Sequence, residues 1–119
     1  MIIFRSALYM TNSAVVETDD LILIVDPCWL PAEVAAIRRH VDSLPVGKPR
    51  YLMFTHSDFD HIIGSGAFPD ALIIASAVMA DKVLTAQEQI IEQIRQFDDD
   101  YYIERDYPIH YPSIHIPIA

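Results

Sequence analysis

A single cysteine, Cys28, occurs in the 119 residues. No intrachain disulfide can form, and nothing points to an oxidising compartment. Basic residues are scarce as well: 8 Lys and Arg stand against 17 Asp and Glu, a formal net charge of -9. Binding to a phosphate backbone needs clustered Lys and Arg, so nucleic acid is not an expected partner. No apolar run approaches the ~20 residues of a membrane-spanning helix. The first residues, MIIFRSALYMTNS, lack a basic start followed by a long apolar core and read as a strand, not a signal peptide. The expected location is the cytoplasm, with no membrane partner. Internal repeats and low-complexity segments are also missing.

What is present is apolar. Hydrophobic residues make up 52% and charged residues 21%, and the mean hydropathy is +0.23. These values describe a globular chain of about one domain, able to bury roughly two-thirds of its unfolded surface. They also leave room for a buried interface. Strands are expected at 2–10, 13–18, 21–25, 50–55 and 71–76. The run LILIV (21–25) has the continuous apolar character of a strand covered on both faces. Helices are expected at 31–44, where Val34, Ile37, Val41 and Leu44 form one stripe, and briefly at 62–68 and 77–83. A longer one starts near Thr85, with Thr85 and Glu88 spaced as a capping box and Ile90, Ile91, Ile94, Phe97 and Tyr101 on one side. Asp98, Asp99 and Asp100 read as a solvated helix end. The tail (106–119) has three prolines, which allow edge or irregular extended structure and argue against a central strand. Strands alternating with helices mean an α/β layer architecture, whose sites collect at the carboxyl ends of strands.

Two segments lie at such ends. One is Asp26, after LILIV. The other is THSDFDH (55–61), after the apolar YLMF. Its His-x-Asp-x-Asp-His spacing offers two imidazoles and two carboxylates. In a curled loop His56 and Asp58 can converge on one cation, while Asp60 and His61 hold a second or turn inward at a following helix. Zinc, iron and manganese all accept these donors. A competing reading needs no metal: Asp60 caps a helix that begins near His61.

The stretch THSDFDH resembles the metal-binding motif of the metallo-β-lactamase superfamily, whose usual form is Thr-His-x-His-x-Asp-His. Thr55, His56, Asp60 and His61 match it, as do their spacing and the strand before them. NSAVVETDDLILIVDP (12–27) resembles the family's N-terminal hairpin, which ends in an aspartate near the site, here Asp26. The resemblance spans about residues 2–76. It implies a fold of two similar halves packed sheet against sheet, of which residues 1–119 would form one: a single, incomplete α/β domain with one mostly antiparallel or mixed sheet and helices on its outer face.

The same resemblance implies a metal-dependent hydrolase. His56 and Asp58 would serve a first metal, and Asp60 and His61 a second. Asp60 would also orient or deprotonate the attacking water, and Asp26 would orient a ligand from behind. The implied cofactor is a divalent metal, zinc first, with manganese or iron favoured by the carboxylate at position 58. The substrate would be a small molecule with an ester, amide, thioester, lactone or phosphoester bond. Three departures stand out. Position 58 is Asp where the family usually has His, Ile62-Ile63-Gly64 replaces a frequent Gly-Gly, and the family's remaining ligands belong to its second half. Two ligands per ion are too few, since a catalytic zinc keeps about three. The expected partner is therefore a second copy in a homodimer or a missing C-terminal half. The alternative is a truncated, non-catalytic relative that serves as a metal-binding or assembly module.

The other ligand types read as structural. His110 and His115 suit surface or edge-strand positions, and His40 suits an exposed helix face. Cys28 suits a small packed thiol. Trp29 and Phe59 could line a pocket but more often pack in a core or loop.

Overall fold

In the computed structural model, residues 1–55, 58–82 and 85–119 are described, with residues 59 and 60 described by backbone alone. Among the described residues, six strands form one sheet in sequence order: β1 (Ile2–Arg5), β2 (Asn12–Glu17), β3 (Ile22–Val25), β4 (Arg50–Met53), β5 (Leu72–Ser76) and β6 (Ile116–Ile118). The first three are antiparallel and the last four parallel, so the sheet is mixed. Helix α1 (Pro31–Ser43) joins β3 to β4. Helix α2 (Phe59–Ile62), a 3-10 turn (Ile63–Ala67), α3 (Ala77–Asp81) and α4 (Gln87–Asp100) follow. The strand-helix alternation expected from the sequence is therefore the order observed.

One face of the sheet carries the core. Val15, Ile24, Leu52 and Ile73 share a register line across β2–β5 and are buried. Val34, Ile37 and Val41 of α1 lie in the same apolar cluster, each fully buried. Each such side chain contributes about 1.5–3 kcal/mol on leaving water. Leu44, the last residue of the expected stripe, is the C-cap and only partly buried. A second cluster joins Trp29, Ile63 and Ile94, with Phe97 against it. Trp29 is thus a core residue, its ring centroid 4.4 Å from that of Phe97.

The opposite face is also apolar but half open. Ile3, Ala14, Val25, Met53, Ile74 and Ile116 form one register line across all six strands. Val16, Leu23, Tyr51 and Leu72 form the next. Ile3, Leu72 and Ile116 are exposed at 56%, 46% and 38%.

Several elements differ from the sequence expectation. Strand β1 stops at Arg5 and not at residue 10. The Glu33 carboxylate at the start of α1 accepts from Ser6 Oγ and from the Ala7 N–H, both at 2.7 Å, which draws the chain off the sheet edge. Tyr9 and Met10 then turn with φ of 56° and 52°. The capping box at Thr85 does not form. Helix α4 begins at Gln87 with Ala86 as N-cap and no side-chain cap, because Thr85 and Ala86 donate to Lys82 O at 3.2 and 2.9 Å and continue the preceding turn. Tyr101 is 61% exposed, with its ring centroid 4.6 Å from that of Phe97. Asp98 is not solvated. It is buried and takes a two-pronged ion pair from Arg105, Nε to Oδ2 at 2.7 Å and Nη2 to Oδ1 at 2.8 Å. The tail does form an edge strand, β6, with Pro117 inside it.

Candidate metal site at the carboxyl ends of β3 and β4

The site is assembled around Asp26. The residue ends β3 with a φ of 46°, a left-handed conformation that Asp tolerates better than most residues. Its N–H donates to Met53 O of β4 at 3.0 Å. Ser13 of β2 donates to its carbonyl oxygen, and Cys28 N–H returns to that oxygen at 2.6 Å. The backbone turn is therefore held from three sides. The carboxylate, 3% exposed as part of its residue, faces the loop after β4. Oδ1 accepts the Thr55 N–H at 2.9 Å, and Oδ2 accepts the Thr55 hydroxyl at 2.5 Å.

The same Oδ2 lies 3.0 Å from Nδ1 of His61. Two lone pairs at that distance would repel, so the contact is favourable only with a proton on Nδ1. In an imidazole protonated at Nδ1, Nε2 is the nitrogen that carries the lone pair. A carboxylate behind a metal-binding imidazole acts in this way: it selects the tautomer and sets the ring plane. The His61 side chain is 14% exposed.

His61 reaches this position because α2 turns directly after the loop. Its N–H bonds the Asp58 carbonyl at 2.9 Å, so the helix starts with Asp58 as the preceding residue and Asp60 inside it. Asp60 therefore does not hold the N-cap position of this helix. Gly64 follows in the 3-10 turn, against the backbone of the β3–α1 loop. A Cβ there would stand 2.7 Å from Pro27 O, 3.0 Å from Cys28 O and 3.1 Å from Val34 Cγ2. The glycine after the motif thus serves close packing beneath the site.

Of the residues singled out in the sequence, Asp26 and His61 are brought together, and Asp58 is exposed beside them at the start of α2. His56 and the side chains of Phe59 and Asp60 lie outside the described residues. Among the described residues no group of three or more His, Cys, Asp or Glu side chains is placed to hold a metal. The donors that are described, one imidazole backed by a carboxylate and one exposed carboxylate, suit a divalent ion. The remaining histidines lie elsewhere. His115 Nδ1 accepts the Ile73 N–H at 2.9 Å, near the amino end of β5. His110 is exposed, with Nδ1 3.3 Å from Tyr111 O. His40 packs against Phe4. Cys28 is buried, 2.8 Å from Ser13 Oγ. Burial pushes its thiol pKa up, and the Ser13 hydrogen bond only partly offsets this.

The sequence pattern assigns Thr55 no role beyond its match to the motif, and Ser13 none. Both act through Asp26. Their only signal was position: Thr55 opens the motif, and Ser13 sits on the strand paired with the one that Asp26 ends.

Comparison with known proteins identifies the family and the fold. The family model described as metallo-beta-lactamase superfamily matches residues 7–117. Among solved structures, a metallo-beta-lactamase of Cronobacter sakazakii (Enterobacter sakazakii) with a HARLDQ motif superposes with a TM-score of 0.54 at 20% identity, covering 91% of this chain and 37% of that one. The protein TTHA1623, in a di-iron-bound form, superposes with a TM-score of 0.57 at 18% identity, covering 100% of this chain and 54% of that one. The chain therefore spans between a third and just over a half of the structures it matches. The comparison with curated proteins finds no match. With a mixed sheet, an Asp-backed histidine at its carboxyl edge and a family match over nearly its whole length, the chain belongs to the metallo-β-lactamase superfamily.

Proposed function

We propose that this chain carries the metal-binding motif of a metal-dependent hydrolase. The observation that supports this most directly is the 3.0 Å approach of His61 Nδ1 to Asp26 Oδ2. A buried carboxylate costs energy unless its bonds are used; Asp26 uses two on Thr55 and turns the same Oδ2 towards the His61 imidazole. It has a clear use in fixing a metal ligand. In this reading His56 and Asp58 hold one divalent ion, and Asp60 and His61 hold the other. Zinc is the first candidate, with manganese or iron favoured by the harder carboxylate at position 58.

A bound ion of this kind lowers the pKa of water towards neutrality and polarises a substrate carbonyl or phosphoryl oxygen. The chain's own contribution is orientation. Asp26 holds the His61 ring, Thr55 holds Asp26, and Asp60 is assigned to position the attacking water and take its proton. The substrate class is a small molecule with an ester, amide, thioester, lactone or phosphoester bond.

Metal content of the purified chain, with titration of zinc, manganese and iron, tests the reading. Asp26→Asn should weaken metal binding by about 10–100-fold, as loss of a carboxylate behind a ligand does, with circular dichroism unchanged. Hydrolysis of a panel of the five bond types should fall with it. If His61→Ala binds as much metal as the parent chain, the ligand assignment fails.

A further inference from the structure

We infer that Arg105, far from the motif in sequence, is a positioning residue for the site: it holds the far end of the loop that presents the Asp26 carboxylate to His61. The inference rests on the metal-binding reading above. The loop after β3 runs Asp26-Pro27-Cys28-Trp29 before Leu30 caps α1. Asp26 and Cys28 are both left-handed, with φ of 46° and 54°. Residues other than glycine keep that conformation only where their surroundings over-determine it. Pro27, between them, has its φ fixed by its ring. The aim of the Asp26 side chain therefore depends on how the two ends of this short loop are held.

The near end is held by the sheet, through Met53 O and Ser13 Oγ. The far end is held by Arg105, whose Nη1 donates to Trp29 O. The same Nη1 donates to Tyr107 Oη at 2.7 Å. Nε and Nη2 grip the two oxygens of Asp98 at 2.7 and 2.8 Å. This forked pair fixes the guanidinium plane, and the plane fixes where Nη1 points. Asp98 belongs to α4, and the Arg105 side chain is 2% exposed, so the loop is anchored to the helix layer and not to solvent. The Trp29 ring has its own contacts, with Nε1 donating to Ser6 Oγ at 2.9 Å and Phe97 packed against it. Those place the side chain. The peptide that follows it is held by Arg105 at the carbonyl and by Glu33 at the Leu30 N–H, 3.4 Å away. An ion pair with Asp98 alone would serve stability; the bond to Trp29 O is what connects Arg105 to the site.

Two measurements on the 119-residue chain test this: its zinc affinity, and the imidazole nitrogen resonances of the metal-free chain, which report the nitrogen that carries the proton. The parent chain should show His61 in one form, protonated at Nδ1. Arg105→Lys keeps the charge but replaces the planar fork by a point charge. It should weaken zinc binding about tenfold, the small end of the loss that follows disturbance of a group behind a ligand, and mix the two His61 tautomers. Val41→Ala, near the far end of α1, is the destabilised control and should leave both readouts unchanged. A role in stability alone would lower the urea midpoint of Arg105→Lys and leave zinc affinity and tautomer at the parent values. That outcome would overturn the inference and leave the hydrolase reading standing, as would two His61 forms already present in the parent chain. If Asp26→Asn also binds zinc as tightly as the parent, the metal reading falls with it. Should Arg105→Lys not fold, Arg105→Gln combined with Asp98→Asn removes both buried charges together and is read in the same way.

Discussion

At the scale of single residues, the site depends on groups with no direct part in chemistry. Gly64 is where a turn of chain passes closest to the loop that follows Asp26, and Gly64→Ala would drive a methyl group to 2.7 Å from Pro27 O. Overpacking of this kind costs about 1–3 kcal/mol, so the urea midpoint should fall by that equivalent. Arg105 ties three parts of the chain together. It pairs with Asp98, donates to Trp29 O, and bonds Tyr107 Oη at 2.7 Å. Its side chain is 2% exposed, and removing one partner of a buried pair costs about 3–5 kcal/mol because the other charge is left behind. Arg105→Ala should therefore destabilise strongly, and Arg105→Ala with Asp98→Leu should recover part of the loss in equilibrium unfolding. Cys28, Tyr107 and Tyr111 all have pKa values pushed up, first by burial. An acid raised in the folded state contributes fully while protonated in both states. That contribution is lost as pH climbs from the unfolded value through the folded one. Stability should thus hold up to about pH 8.5, the unfolded thiol range, and decline above it, and Cys28 should react with a thiol reagent only on unfolding.

At the scale of elements, α1 does two jobs with two faces. Val34, Ile37 and Val41 seal the sheet, while Glu33 at its first turn holds Ser6 and Ala7 and reaches the Leu30 N–H at 3.4 Å. Ile37→Ala should cost about 2–5 kcal/mol through the cavity it leaves, measured by denaturant unfolding. Glu33→Gln should cost about 1–2 kcal/mol, since a charged acceptor becomes a neutral one, and should loosen the β1–β2 loop, seen as faster amide exchange at Ala7. The outer surface of α1 is tied to the sheet through Arg38, Asp42, Arg50 and Asp70. Burial works against ionising Asp70, but the Arg38 hydrogen bond and the charges of Arg38 and Arg50 outweigh it and lower its pKa. These pairs are partly exposed and add little to stability; their effect is to hold the helix in register with β4.

At the scale of the whole molecule, one covered face and one open face make stability depend on what binds. Metal held only by the folded chain should add about 2.7 kcal/mol at a hundred times its Kd. For a domain of this size that is a rise in Tm of roughly 10–20 °C, reversed by a chelator. Scanning calorimetry with and without zinc measures it, and a metal-insensitive Tm would remove the metal from the account. Among the described residues no helix is long and apolar enough to cross a membrane.

Local patterns were legible without the structure because the chain itself carries them. The stripe of α1, the apolar strands β3 and β4, the alternation of strand and helix, and the edge position of a proline-containing tail all follow from side-chain period and backbone chemistry acting over a few residues. The motif at 55–61 was visible for the same reason. What the sequence could not decide were events between distant segments. The local pattern makes Asp98 a solvated helix end because Arg105 is separated from it by a turn that only folding closes. The local pattern extends β1 beyond Arg5 because it carries no sign of Glu33, 26 residues beyond Ala7, which pulls the chain away. Asp26 and His61, 35 positions apart, meet only because β3 and β4 are parallel neighbours and α2 turns back at the carboxyl edge. The sequence alone thus determined which groups could bind a metal. The tertiary structure decided that Asp26 stands behind His61, because the direction of an imidazole is set by the partner across from it and not by its neighbours in the chain.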